Sequence, residues 1–310
     1  MTQLNINLSH LHYFWTVASE GTIARACEKL RLTQPTISAQ LRDLENSLGE
    51  KLFQRHGRRL ELTDTGRVVF GYAEQIFSLS RELVDSVQGR PGARPLKLTV
   101  GIVNAVPKRI AYLMLKPALL LQENLRLICR HGELEPLLSE LATHAVDVVL
   151  SDSPVTSHLK YRVFNHQLGE SRISILGTQD LADQYRSNFP QSIHGAPLLL
   201  PAKHTSLRRE LDYWIDKLNL RPFIRGEIDD TSLLKVFGQA GDGMFAAPTV
   251  IEAEICRQYH VELVGRIDSV RDRFYAISSE RRVQHPAVQA ICDTARAQLF
   301  SNLPTPDARP

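Results

Sequence analysis

Apolar positions in the first ninety residues recur every three or four places, with polar residues filling the gaps. Leu8, Leu11, Phe14 or Trp15, and Ala18 predict a first amphipathic helix that ends at Gly21. Thr22 is placed to cap a second helix, with Ile23, Ala26 and Leu30 on one face. Arg31-Leu32 leaves room only for a turn. Thr33 then caps a third helix, with Pro35 in its first turn, where the missing N–H costs nothing. Ile37, Leu41, Leu44 and Leu48 form its buried stripe. Leu52-Phe53 and Leu60, Leu62 flank a turn at Gly57, predicting a short hairpin. From a cap at Thr63 or Asp64 a fourth helix carries Val69, Tyr72, Ile76, Leu79, Leu83 and Val87 at near-heptad spacing. Such a seam without a local partner calls for a second copy. The helix must stop before Gly89-Arg90-Pro91-Gly92-Ala93-Arg94-Pro95, which reads as a hinge.

Beyond the hinge the pattern changes to short apolar runs separated by helical stretches. "LKLTVGIV", "LRLICRHG" and "VDVVLSD" predict strands, with helices over 108–121 and 133–144 between them. A second set follows: "RISIL", "PLLLP", a helix over 206–218, "FIRGEID", a helix over 231–240, "GMFAAP" and "VELVG". "RFYAISS" and a helix over 286–300 return to the first set. Alternation with short joins implies parallel pairing in two α/β lobes, with a ligand cleft at the strand ends. Residues 301–310, with three prolines, read as a disordered tail.

The outer face of the third helix decides what the first domain does. It carries Gln34, Thr36, Ser38, Gln40 and Arg42, which can read base edges or bond phosphates. A solvated helix would instead show Lys and Glu pairs. Two helices, a tight turn and this face describe a helix-turn-helix over about 22–45. The net charge of +3 is too mild to name a partner, but Lys51, Arg55, Arg58 and Arg59 follow without an intervening acid. Those arginines sit on the hairpin, a wing able to reach flanking phosphates. DNA contacts are therefore expected from Thr33, Gln34, Pro35, Thr36, Ser38, Gln40, Arg42, Arg55, Arg58 and Arg59, and the dimer seam from Val69, Tyr72, Ile76, Leu79 and Leu83.

"GTIARACEKLRLTQPTISAQLRDLENSLGEKLFQRHGRRLELTDTG" resembles the winged helix-turn-helix of LysR-type transcriptional regulators. "TQPTIS", "LE…LG…LF.R" and "LT..G" are its specific marks, strong as a set. The resemblance implies an α + α/β chain: an N-terminal winged helix-turn-helix (8–65), a long dimerisation helix (66–88), a hinge (89–95) and a C-terminal two-lobed, periplasmic-binding-protein-like effector domain (96–300). Lobe I is expected over about 96–163 and 268–300, lobe II over about 164–267. A dimer, often a tetramer, is implied. "HYFWTVASEG", "LSDSPVTS", "GEIDDTSLLKVFGQAGDGMFAAPT" and "ERRVQHPAVQAICD" extend the likeness to the NhaR-like subfamily, sodium-responsive activators of sodium/proton antiporter genes. Activation under sodium or alkaline stress, with RNA polymerase as partner, is implied by that likeness alone.

Many members of the family bind carboxylate effectors through a hydroxyl just after the first effector-domain strand. Here that stretch is Asn104-Ala105-Val106-Pro107-Lys108, without one. A sodium ion would want oxygen ligands, for which Asp152, Asp229 and Asp230 are the candidates. Asn104, Ser153 and Thr205 complete the expected cleft.

The remaining chemistry is negative. Cys27, Cys129, Cys256 and Cys292 are scattered, with no metal or redox spacing, which fits reduced thiols in a cytoplasm. His10 and His12 point to different helix faces. Cys129 beside His131 reads as a packed thiol on a buried strand. Gly238, Gly241 and Gly243 lack dinucleotide spacing and read as a helix cap. No apolar run approaches a membrane span and no signal peptide is visible. Neither an enzyme nor a cofactor is expected, and no metal site is certain. Two alternatives remain: a LysR-type regulator of other genes with a small organic effector and, more distantly, a free-standing small-molecule binding protein.

Overall fold

The computed structural model describes residues 6–56, 59–87, 96–121, 125–156, 163–280 and 285–300. It divides into two compact units, Met1–Pro95 with Ala142–Ala145, and Leu96–Leu141 with Val146–Pro310. Arg58, the hinge at 89–95 and the tail at 301–310 lie outside the described residues.

In the first unit α1 (Leu8–Glu20), α2 (Ile23–Leu30) and α3 (Gln34–Leu48) follow the apolar spacing closely. Gly21 ends α1 in the left-handed region, at φ 72°, which glycine adopts without penalty. Thr22 caps α2 by accepting from the Arg25 N–H. Thr33 sits at the α3 N-cap, but its side chain does not cap. Its Oγ1 instead lies 2.8 Å from Thr36 Oγ1. Phe14, Ile37, Leu44 and Leu52 are fully buried and make the core. β1 (Phe53–His56) and β2 (Arg59–Leu62) pair antiparallel as the wing, with Arg55 opposite Leu60. α4 (Asp64–Val87) starts at Thr63, whose Oγ1 accepts from Gly66 N.

Early α4 residues belong to this core. Ala73 is buried, Val69 and Phe77 pack on it, and Arg81 lies over the Trp15 ring at 5.2 Å. Val69, expected in the seam, is thereby used up locally. The exposed stripe consists of Tyr72, Ile76, Leu79, Leu83 and Val87.

The second unit is built on a sheet of eight described strands, ordered β4-β3-β5-β10-β6-β9-β7-β8. β3 (Leu96–Val103), β4 (Leu125–Gly132) and β5 (Val148–Ser151) pair in parallel, with α5 (Lys108–Leu121) and α6 (Leu134–Ala142) as crossovers. β7 (Pro197–Pro201), β8 (Phe223–Ile228) and β9 (Met244–Pro248) do the same with α8 (Ser206–Lys217) and α9 (Thr231–Gln239).

The sheet is mixed rather than all-parallel. β6 (Phe164–Gly177) and β10 (Glu262–Ser278) run antiparallel through its centre, so "VELVG" and "RFYAISS" are halves of one long strand. β5 pairs β10 at Tyr275–Ile277, while β9 pairs β6 at Ile173–Leu176. The chain crosses between the lobes in the intervening segments, near Glu170–Arg172 and Asp268–Arg273. Helices α7 (Gln179–Tyr185) and α10 (Glu252–Tyr259) occupy stretches for which the apolar pattern predicts no helix. α11 (Pro286–Thr294) continues as a π-helical turn at Ala295–Leu299.

Candidate DNA interface and effector cleft

On α3 the residues expected to read DNA are open. Gln34, Pro35, Thr36 and Arg42 are exposed, and Ser38 and Gln40 are half-buried on its flanks. Ile37, Leu41 and Leu44 turn the opposite face inward, so the helix cannot rotate without exposing its core stripe. Glu45 ties α3 to the wing. Its Oε1 accepts from the backbone N–H of Leu52 at 3.0 Å and of Phe53 at 3.4 Å, and its Oε2 pairs Lys51 Nζ at 2.6 Å. Partial burial works against ionisation, but Lys51 and the two N–H groups outweigh it and hold the carboxyl below its usual range. Arg55 and Arg59 lie on the paired wing strands. His12 does not serve a metal: its ring packs edge-on to Phe77 at 5.1 Å, and burial, then Arg81 and Lys29, lower its pKa.

The cleft between the two lobes of the second unit is a small cavity of about 30 Å³. Its walls combine Ala105 and Pro107 after β3, Pro201 and Thr205 after β7, Leu234 of α9 and Ala247 of β9. Of the residues expected there, Asp152 and Thr205 line it. Asp152 Oδ2 accepts from Ser206 N at 3.1 Å, at the start of α8, and Thr205 caps that helix through Arg208 N. The other four do not line it. Asn104 donates to Glu133 Oε1, and Ser153 N donates to Ser151 Oγ. Asp229 pairs with His204 at 3.5 Å, at the surface. Asp230 caps α9 by accepting from Ser232 and Leu233 N–H, and pairs with Lys108 at 3.2 Å. The Leu233 bond, then Ser232 and Lys108, overcome partial desolvation to keep its carboxyl below the usual range.

Two cleft residues escape a reading of the sequence, Lys235 and Asp272. Asp272 is 4% exposed; burial, then the charge of Asp152, push its carboxyl well above the usual range. Lys235 is 7% exposed, and burial pulls its ammonium down to about 8, with Asp230 opposing and Lys108 adding to the fall. Among the described residues neither side chain has a hydrogen bond or ion pair; Lys235 Nζ only lies 5.9 Å from the Tyr259 ring centre. A signal for each exists. Asp272 alternates in phase with buried Phe274 and Ala276, and Lys235 lies between Thr231 and Gly238 on the inner face of α9. Cys129, expected to be packed, is exposed because β4 is the sheet edge. No cluster of three His, Cys, Asp or Glu able to hold a metal occurs among the described residues.

Residues 8–67 match the family model described as bacterial regulatory helix-turn-helix protein, lysR family, and residues 93–300 match the LysR substrate binding domain. The chain belongs to the LysR family of transcriptional regulators. It is 37% identical to the transcriptional activator protein NhaR of Escherichia coli, over 97% of this chain and 99% of that protein. A RuBisCO operon transcriptional regulator of Allochromatium vinosum is 32% identical over 49% of this chain and 50% of its own length. Among solved structures, full-length LysG of Corynebacterium glutamicum, with bound effector Arg, aligns with TM-score 0.66 at 17% identity. That alignment covers 96% of this chain and 99% of LysG, and it supports the fold. ArgP of Mycobacterium tuberculosis aligns with TM-score 0.65 at 18% identity, over 95% and 97%. As a LysR-family member the chain is a DNA-binding regulator and not an enzyme. No described helix is long and apolar enough to cross a membrane.

Proposed function

We propose that this LysR-family chain is a cytoplasmic transcriptional activator. As a dimer, or a tetramer of paired dimers, it reads an interrupted palindrome through α3. The observation that carries this is α3, which leaves Gln34, Thr36 and Arg42 exposed, with half-buried Ser38 and Gln40 on its flanks, while its other face is locked in a core. Full-length similarity to an activator supports the direction of control. The wing arginines contribute phosphate contacts, the α4 stripe the dimer, and RNA polymerase is the downstream partner.

Control of sodium/proton antiport or alkaline-stress genes follows from the subfamily resemblance. The direct test is a footprint on the genes beside its own, with sodium varied at fixed pH and ionic strength, then pH varied at fixed sodium. Protection that extends or shifts with sodium supports the reading. An identical footprint throughout the first series excludes direct sodium sensing. A second reading, a small organic effector, is favoured by Asp272 and Lys235, two buried ionisable groups that line the cleft without a hydrogen bond or ion pair among the described residues.

A further inference from the structure

We propose that the interlobe cleft binds a small zwitterion of amino-acid type, its ammonium held by Asp152 and Asp272 and its carboxylate by Lys235. The inference rests on the cleft being the effector site and names what that site takes.

Charge balance carries it. A buried ionisable group is normally paired or hydrogen-bonded, because its desolvation is otherwise uncompensated. Asp272 and Lys235 line one cavity, both more than nine-tenths buried, and neither has a polar partner among the described residues. They do not pair with each other either. Asp152 is partly committed, accepting from the Ser206 N–H on Oδ2 and from Ser153 Oγ at 3.5 Å on Oδ1. The acid pair therefore presents a negative pole and Lys235 a positive pole, on which Asp230 acts without an ion pair, with apolar wall from Ala105, Leu234 and Ala247 also lining the cavity. A molecule with an ammonium at one end and a carboxylate at the other satisfies both at once. An anion alone leaves the acids unmatched, and a cation alone leaves the lysine so.

Size adds a condition. About 30 Å³ is room for one or two waters, so the ligand enters only when the lobes part. Across the cleft rim stands the ion pair Lys108–Asp230, more than half exposed on both sides and correspondingly weak. The paired strands β6 and β10 run through both halves of the sheet, and Asp272 lies opposite Ser171 in their middle, where such parting would bend them.

The test is thermal unfolding of the full-length protein against single amino acids and γ-aminobutyrate. Controls are amines lacking the carboxylate, acids lacking the amine, and sodium chloride balanced with choline chloride. At least one zwitterion is expected to raise Tm at millimolar concentration while its matching amine and acid do not. Asp272→Asn and Lys235→Met, each checked for folding by circular dichroism, should raise the half-saturating concentration at least about tenfold. Should one variant fail to fold, the other decides. The proposal is overturned if no zwitterion shifts Tm, if an amine without carboxylate acts equally well, or if the shift survives in the folded variants. An Asp272-dependent shift with sodium alone would also overturn it, making the acid pair a metal site. Operator binding by the wild type is measured in parallel; its absence would defeat the regulator reading and leave the ligand result standing.

Discussion

Glu45 of the recognition helix accepts the backbone N–H of Leu52 at 3.0 Å, so one carboxylate fixes where the wing leaves the helix that it flanks. The contact joins the two elements proposed to meet DNA through a group that is nearly buried. Glu45→Ala should destabilise the protein by about 2 kcal/mol, as expected for losing hydrogen bonds to a charged group, measured by urea unfolding. Its carboxyl is depressed in the folded state, so the contribution is complete above the unfolded value near 4.5 and lost as pH falls through the folded one. The gap between wild type and variant should close in that acid window. A gap constant down to the acid limit would show that the charge is immaterial.

Leu79 and Leu83 are 68% and 64% exposed among the described residues. The double substitution Leu79→Glu, Leu83→Glu should leave monomer stability within about 0.5 kcal/mol, as for other surface changes, yet abolish the dimer. Light scattering after size exclusion reads the state. Operator affinity should fall with it, since two half-sites need two readers. A dimer that persists in the double variant would place the interface elsewhere.

Base reading and phosphate binding separate by salt. Alanine at Gln34, Thr36 or Ser38 should relax sequence preference, by roughly 1–3 kcal/mol for a bidentate hydrogen-bonded pair. Alanine at Arg55, Arg58 and Arg59 together should weaken all sequences alike and flatten the salt slope by roughly one for each phosphate that is no longer neutralised. Equal slopes for wild type and the triple variant would contradict the wing assignment.

Lys235 makes a pH prediction of the opposite sign from Glu45. Its ammonium titrates near 8 in the folded protein and near 10.5 unfolded, so the unfolded state binds more protons in between. Stability lost to the buried charge is greatest below pH 8 and is recovered as pH rises towards 10.5. Lys235→Met should therefore be more stable than wild type below pH 8, by up to about 3 kcal/mol, with the gain shrinking in alkali. A pH-independent difference in Tm between the two would show that Lys235 is not desolvated.

Gly238, on the inner face of α9, has no room for a side chain. A Cβ there would stand 2.2 Å from the ring of fully buried Phe245. Gly238→Ala should cost about 1–3 kcal/mol through overpacking, despite the better helix propensity of alanine, and Phe245→Leu should recover part of it. Unchanged stability on calorimetry would mean that the ring moves aside freely.

The helix-turn-helix was legible because its evidence is local. Apolar spacing, Gly21 and the Thr33-Gln34-Pro35 start each act within one or two turns, and α1, α2 and α3 appear where those signals put them. What Thr33 does with its hydroxyl, and that Val69 faces its own core, depend on neighbours that spacing does not name. The same division runs through the second unit. Short parallel strands with their crossover helices could be read directly, whereas β10 reads as two strands, because its middle, Asp268 to Arg273, is polar where it crosses between the lobes. The cleft shows the limit most clearly. Asp229 and Asp230 look like ligands along the chain, yet a histidine and a helix N-terminus take them. Asp272 and Lys235 look like solvated charges, and only the folding of two lobes around them buries them. Sequence determined the helices of the first unit and the polar residues that α3 leaves outside its core, since those depend on interactions between residues a few places apart. Tertiary structure alone decided which charges are buried without a partner, since desolvation is a property of everything that surrounds a group.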